Sequence, residues 1–180
     1  TKGEGKLTIR KPVGEFTYEI PDTREGWVES VKLLLNAYLK SEANPLFKYH
    51  LIREQGEPIK GFGGTASGPA PLKKLHTQLA NLLSKNHGNK ISIKNIVDIM
   101  NMIGQCVVAG NVRRTAQISF GDPDSEEYLK LKDYKWNGET YEGSKVHRAE
   151  YGWALNNSVN CTLGMDYTKL AEQTAKNGEP

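Results

Sequence analysis

Apolar residues in this chain recur first with the period of a strand, then of a helix, and the period switches repeatedly. From 6 to 20 they alternate loosely as Leu7, Ile9, Val13, Phe16, Tyr18 and Ile20. This predicts one or two short strands, broken at Pro12-Val13-Gly14. Pro21-Asp22-Thr23-Arg24-Glu25 then opens a helix, with Asp22 placed to accept from the first free amides and Glu25 as its reciprocal cap. Trp27, Val28, Val31, Leu34, Leu35 and Tyr38 follow as one apolar helical face, and Ser41 to Pro45 ends it. Leu46 to Ile52 is strand-like. A helix from Pro69 to Ser84 carries Leu72, Leu75, Leu79, Leu82 and Leu83, and a second from Ser92 to Gly104 carries Ile93, Ile96, Val97, Met100 and Ile103. Cys106-Val107-Val108 and Ile118-Ser119-Phe120 are strand-like again. Gly121 to Ser125 is loop and cap, Glu126 to Lys132 a short amphipathic helix, Trp153 to Leu163 a buried strand and Asp166 to Lys176 a helix start. Tyr134 to Glu150, polar and glycine-rich around an isolated Trp136 and Tyr141, reads as an exposed excursion without chemistry. The alternation predicts an α/β fold, in the form of an arc of a barrel.

Composition narrows this picture. The 180 residues suffice for one domain with a core, yet 37% hydrophobic and 8% aromatic content is lean and fits a piece that packs against a larger chain. Net charge is +3 with both signs mixed, so nothing demands nucleic acid or an anionic membrane. No apolar run reaches a membrane span, and Thr1-Lys2-Gly3-Glu4-Gly5 is no signal peptide. Cys106 and Cys161 lack CxxC or His-rich company, so free thiols in a reducing cytoplasm are expected, with no metal site.

Three stretches are candidates for chemistry. Between the strand-like runs lie Ala109, Gly110, Asn111, Val112, Arg113 and Arg114. Gly110 and Asn111 tolerate backbone angles closed to most residues, and the two guanidinium forks suit phosphate oxygens or base edges. This is either a ligand-contacting loop or a hairpin-like turn whose arginines merely solvate. Gly61-Phe62-Gly63-Gly64-Thr65-Ala66-Ser67-Gly68 precedes a helix, and its close-approaching amides and hydroxyls could cradle a phosphate or sugar. It is neither a Walker loop nor a dinucleotide fingerprint, and the plainer reading is a flexible connector with Ser67 as helix cap. Asn156, Asn157 and Ser158 put amides and a hydroxyl mid-strand, where they either close an internal hydrogen-bond net or face a ligand. His76 reads as a surface or packing histidine and His87 as solvent-facing; Met100 reads as core filler.

Gly61 to Pro69, Val107 to Ile118 and Trp153 to Val159, in this order, closely resemble the catalytic subunit of ribonucleotide reductase. The nearest class is the adenosylcobalamin-dependent one, within it the monomeric enzymes that reduce ribonucleoside triphosphates. The resemblance covers nearly the whole chain but only an internal portion of a reductase. It implies part of the ten-stranded reductase α/β barrel across 1–180, without a separate second domain. It also gives Asp22 and Thr23 a second role, on the sugar hydroxyl of an allosteric nucleotide, beside the capping role that the residues alone favour. Lys60 matches the family's basic residue for effector phosphates, with Arg53 assisting. Gly61, Gly63, Gly64, Thr65 and Ser67 fall in the first specificity loop, and Ala109 to Arg114 form the second, which touches the substrate base.

The family's radical motif, Asn-x-Cys-x-Glu, is not matched by Asn160-Cys161-Thr162-Leu163-Gly164, and Cys106 does not match its redox cysteine. No catalytic residue is therefore assigned, the cobalamin-binding region has no counterpart, and the chain is expected to be inactive alone. The partners implied are a ribonucleoside triphosphate substrate, a deoxynucleoside triphosphate effector, the remainder of the reductase chain and a thioredoxin-type reductant. Two other readings compete: a stand-alone nucleotide-binding module derived from a reductase, and a nucleic-acid-binding domain using Arg113 and Arg114. Scattered charge disfavours the second.

Overall fold

The structure is a computed structural model that describes residues 7–59, 63–109, 115–133 and 148–179. Lys60, Gly61, the Gly110–Arg114 run and most of the polar excursion, Trp136 and Tyr141 included, lie outside the described residues. The described chain falls into two compact units, one within 5–91 and 106–114, the other within 92–105 and 115–180. Both are mixed helix and strand, as the alternating periods predicted.

In the first unit, β1 (Glu15–Glu19) pairs in parallel with β2 (Asn44–Lys48), from Glu15 opposite Asn44 to Glu19 opposite Lys48. The crossover is α1 (Arg24–Leu39), and α2 (Ala70–Lys85) completes the unit. Parallel neighbours need such a crossover, because a short turn only reverses the chain. Among the described residues from 7 to 20 only β1 is a full strand; Thr8 makes a single antiparallel bridge to Lys90. β2 starts earlier than Leu46, with Pro45 inside it, and ends at Lys48. Ile9, Ile20, Leu34, Leu72, Leu75, Leu79 and Leu83 are buried.

The start of α1 differs from the expectation by one residue. Thr23, in extended conformation, is the N-cap, and its Oγ1 accepts from Gly26 N at 3.0 Å. Asp22 comes one position too early to cap, and Glu25 pairs with its neighbour Arg24 instead of closing a capping box. Gly26 is required here, since a Cβ would sit 2.6 Å from Pro21 O. The face of α1 that is buried is Gly26, Ser30, Leu34 and Ala37, whereas Val28 is 62% exposed. Small residues on this face bring α1 close to α2, and the Ser30–His76 and Tyr38–Ser84 side-chain bonds join the two helices.

α3 (Ile93–Val108) overturns another expectation. Cys106, Val107 and Val108 are not a strand but its last turn, because the helix runs straight through Gly104. Local β-branched preference is weak against a helix already nucleated and packed along Val97, Ile99 and Met102. Met100, expected in the core, is half exposed.

In the second unit, β3 (Gln117–Gly121) pairs in parallel with β4 (Leu155–Val159), Gln117 opposite Leu155 and Gly121 opposite Val159. β4 is shorter than the strand expected from Trp153 to Leu163; Gly152–Ala154 is a 3-10 turn. α4 (Glu126–Leu129) is capped by Ser125 as expected, and α5 (Thr168–Asn177) ends at Gly178 in the left-handed region, φ 79°. Val97, Tyr128, Leu129, Leu131, Leu155 and Leu170 form the core. The outer face of β3 stays open: Ile118 is 59% and Phe120 66% exposed. Among the described residues each sheet has two strands and no helix is long and apolar enough to cross a membrane.

Candidate functional site

Three of the four effector candidates meet in the first unit. Arg53 Nε donates to Asp22 Oδ2 at 2.5 Å, with both side chains about one-third exposed. Thr23, beside Asp22, caps α1. The carboxylate released from capping is thus held at the helix start by a guanidinium from the segment after β2. Lys60, the fourth candidate, lies outside the described residues.

That segment continues into the glycine-rich stretch, which folds back on itself. Gly56 N donates to Ala66 O (2.9 Å), Ala66 N to Glu57 O (2.7 Å) and Ile59 N to Gly64 O (3.0 Å), and Pro58 bridges Thr65. Gly63, Gly64 and Gly68 all have positive φ, which only glycine adopts without strain. At Gly68 the fit is also close: a Cβ would be 3.0 Å from Gln55 N. Ser67 does not cap α2. Pro69 occupies the N-cap, with no side-chain cap bond. Thr65 is exposed and Ser67 half-buried. The stretch is therefore a shaped hairpin, and its first residues carry Arg53.

His76 is not at the surface. It is buried, stacked on Phe47 with ring centroids 4.0 Å apart, and both nitrogens are bonded. Ser30 Oγ donates to Trp27 O (2.7 Å), which leaves it to accept from His76 Nε2 (3.0 Å). Nδ1 then accepts from the Tyr49 hydroxyl (2.8 Å). Burial lowers the imidazole pKa to about 4 and raises that of Tyr49 to about 12. The trio is a neutral lock between α1, α2 and the residue that follows β2.

The second unit holds the proposed substrate-facing residues. Asn156 is exposed on β4 and Ser158 is half-buried. Asn157 is buried; its N–H donates to Glu179 Oε2 (3.1 Å), but its side-chain amide has no partner among the described residues, and neither has that of Asn101 on α3. The Tyr128 hydroxyl lies between β3 and β4, accepting from Ser158 N (3.0 Å) and donating to Ser119 O. Gly121 makes room for it, since a Cβ there would fall within the Tyr128 ring.

Charges are buried here too, where sequence reasoning expected an exposed excursion. Arg148, on a 3-10 turn (Arg148–Glu150), is buried with Asp98 of α3, Nε to Oδ1 at 2.7 Å, and also donates to Leu131 O. Burial pushes the Asp98 carboxyl up, against the pull of Arg148, Lys94 and Tyr151. Lys132, likewise buried, bonds Leu155 O and Glu179. Arg148 and Asp98 are 50 positions apart, and nothing local in the sequence marks them as partners. The nearest hint is Asp98 itself, an acid set between the apolar Val97 and Ile99.

Both thiols are free; Cys106 is half-buried, and burial raises its pKa to about 11, while Cys161 is exposed. Among the described residues no three His, Cys, Asp or Glu side chains gather as a metal site.

Known proteins resemble this chain along most of its length. Residues 5–83 match the family described as B12-dependent ribonucleotide reductase, insertion domain. The chain is 54% identical over 161 residues to a probable adenosylcobalamin-dependent ribonucleoside-triphosphate reductase of Dictyostelium discoideum, covering 89% of the chain and 20% of that protein. It is 47% identical to the corresponding enzyme of Euglena gracilis, covering 99% of the chain and 24% of the enzyme. The crystal structure of a B-12 dependent (class II) ribonucleotide reductase superposes with a TM-score of 0.75 at 30% identity, over 92% of this chain and 22% of that one. The chain thus spans about a quarter or less of the length of these relatives.

Proposed function

Since the chain belongs to the adenosylcobalamin-dependent ribonucleotide reductases, we propose that it is the effector- and substrate-recognition portion of a ribonucleoside-triphosphate reductase. In this reading residues 1–180 are one segment of the catalytic barrel, and the enzyme converts ribonucleotides to deoxyribonucleotides in the cytoplasm by radical chemistry. Adenosylcobalamin supplies the radical when bound, and it, the radical cysteine and the thioredoxin-reduced cysteines belong to other parts of the enzyme.

The observation that carries the reading is the Asp22–Arg53 pair beside the Thr23 cap. A deoxynucleoside triphosphate needs an acceptor for its sugar hydroxyl and cations for its phosphates. Asp22 supplies the first; Arg53 and Lys60 supply the second. The hairpin bearing Gly63, Gly64, Thr65 and Ser67 gives the backbone a fixed shape next to Arg53. The bound effector then biases residues 109–114, whose Arg113 and Arg114 contact the substrate base. Asn156, Asn157 and Ser158 line the substrate side. Physically this is a coupling free energy carried by a segment with more than one arrangement.

Calorimetry on the full-length enzyme with each deoxynucleoside triphosphate tests it. Asp22→Ala is expected to weaken effector binding roughly tenfold or more, as loss of a charged acceptor does. Arg113→Ala is expected to weaken coupling to substrate more than effector binding. Equal loss of both would contradict the loop assignment.

A further inference from the structure

We propose that Arg53 is a positioning residue for the effector sugar: it holds the Asp22 carboxylate in the orientation that accepts the sugar hydroxyl, besides any contact it makes with phosphates. The inference rests on reading Asp22 as that acceptor. Arg53 Nε donates to Asp22 Oδ2 at 2.5 Å, and among the described residues no second donor takes Oδ1. One carboxylate oxygen is therefore engaged by the protein and the other is left for a ligand. The two side chains are 35% and 29% exposed, so a ligand can reach the pair.

The backbone beneath each partner is held, which leaves the side-chain torsions of Asp22 as the main freedom for Arg53 to remove. On the aspartate side, Ile20 is fully buried and its N–H donates to Lys48 O at 3.0 Å. Pro21 O accepts from Thr23 N (2.8 Å) and lies against Gly26, where a Cβ would come within 2.6 Å of it. Thr23 in turn caps α1. On the arginine side, Ile52 is buried and its N–H donates to Tyr49 O (3.0 Å). Glu54 N donates to the Glu57 carboxylate at 3.1 Å. An unheld aspartate samples several staggered rotamers. Selecting one in advance removes that entropy from the cost of binding, and the planar guanidinium fixes a direction that an ammonium would not.

The test uses the full-length reductase carrying this segment, as wild type, Arg53→Gln and Asp22→Ala. Calorimetry gives Kd for a deoxynucleoside triphosphate and for its 2′,3′-dideoxy counterpart with the same base, which differs only in lacking the sugar hydroxyl. Both carry the same phosphates and unfolded chain binds neither, so the ratio of the two Kd values isolates the hydroxyl contact. In the wild type the dideoxy effector is expected to bind on the order of tenfold more weakly, as loss of a hydrogen bond to a charged group implies. Asp22→Ala should bring the ratio to about one. Arg53→Gln, with Asp22 still present, should bring it down to about threefold or less, the effect of leaving one side chain to be ordered on binding. An unchanged ratio in Arg53→Gln, with both effectors weakened alike, overturns the proposal and leaves Arg53 to the phosphates or to a structural role. A ratio near one already in the wild type would instead sink the reading of Asp22 as the sugar acceptor.

Discussion

The two units treat buried polarity in opposite ways. The first buries uncharged groups and closes every bond among Ser30, His76 and Tyr49. The second buries charges, Asp98 with Arg148 and Lys132 against the partly exposed Glu179, and leaves the Asn101 and Asn157 amides without partners among the described residues. A closed neutral trio costs little once formed and holds three parts of the chain at fixed spacing. A buried ion pair is tolerated only while both partners stay, and an unbonded amide is a standing cost. The first unit is therefore packed as a finished support. The second keeps polar groups that local packing does not use, next to the strand that carries Asn156 and Ser158.

Breaking the ion pair should give the largest effect. Arg148→Met leaves Asp98 buried without its cation and is expected to destabilise by about 3–5 kcal/mol in urea unfolding. Combining it with Asp98→Leu should recover most of that loss, because an apolar pair fills similar space without the charge. If the single variant cost no more than the double, the charges in this unit would be as indifferent as surface ones, and the contrast would fail.

The neutral trio predicts a pH dependence of its own. Unfolded histidine takes its proton near 6.5, but His76 in the fold takes it only near 4. Between those values the unfolded state binds the extra proton, so this contribution is complete above 6.5 and is lost as pH falls towards 4. The full swing is about 3 kcal/mol. Unfolding free energy measured from pH 7 to pH 4 should show it, and His76→Phe, which keeps the stack on Phe47, should flatten that part of the profile. An unchanged profile in the variant would mean that the trio is not closed.

Much of this was legible beforehand. The leucine spacing of α2, the Ser125 cap and β3 follow from local rules, which operate within a few residues. What escaped was set by distance or competition. Cys106 to Val108 look like strand, but α3 was already formed and packed when it reached them. Arg148 looked exposed because its partner is on another element. His76 gave no sign of its bonds, since Ser30 and Tyr49 come from two other parts of the chain. Among the site residues, the Asp22–Thr23 pair was recognisable as a helix start, but nothing local showed that Thr23 caps while Asp22 pairs with Arg53, far along the chain.

A smaller effect sharpens the second unit. Tyr128→Phe removes the hydroxyl that accepts from Ser158 N and lies within bonding distance of Ser119 O and Ser158 O. A loss of about 1–2 kcal/mol is expected in unfolding experiments. Faster amide exchange at Ser158 than elsewhere in β4 would locate it. A loss spread evenly over the unit would instead mean that the ring, wedged against Gly121, matters and the hydroxyl does not.

The smallest stability effect separates structure from function within the first unit. Thr23→Ala removes the cap of α1 and should cost about 1 kcal/mol, with a smaller loss of effector affinity than Asp22→Ala. Asp22→Ala breaks a partly exposed ion pair, which contributes at most about 1 kcal/mol after solvent screening. If the proposed site is right, this second variant loses effector binding while hardly moving the unfolding curve. The two adjacent positions would then divide the labour, threonine holding the helix and aspartate free for the nucleotide. Were Asp22→Ala to cost more stability than Thr23→Ala, the carboxylate would be a structural strut like the His76 trio, and the Arg53 pair would be its purpose rather than its resting state.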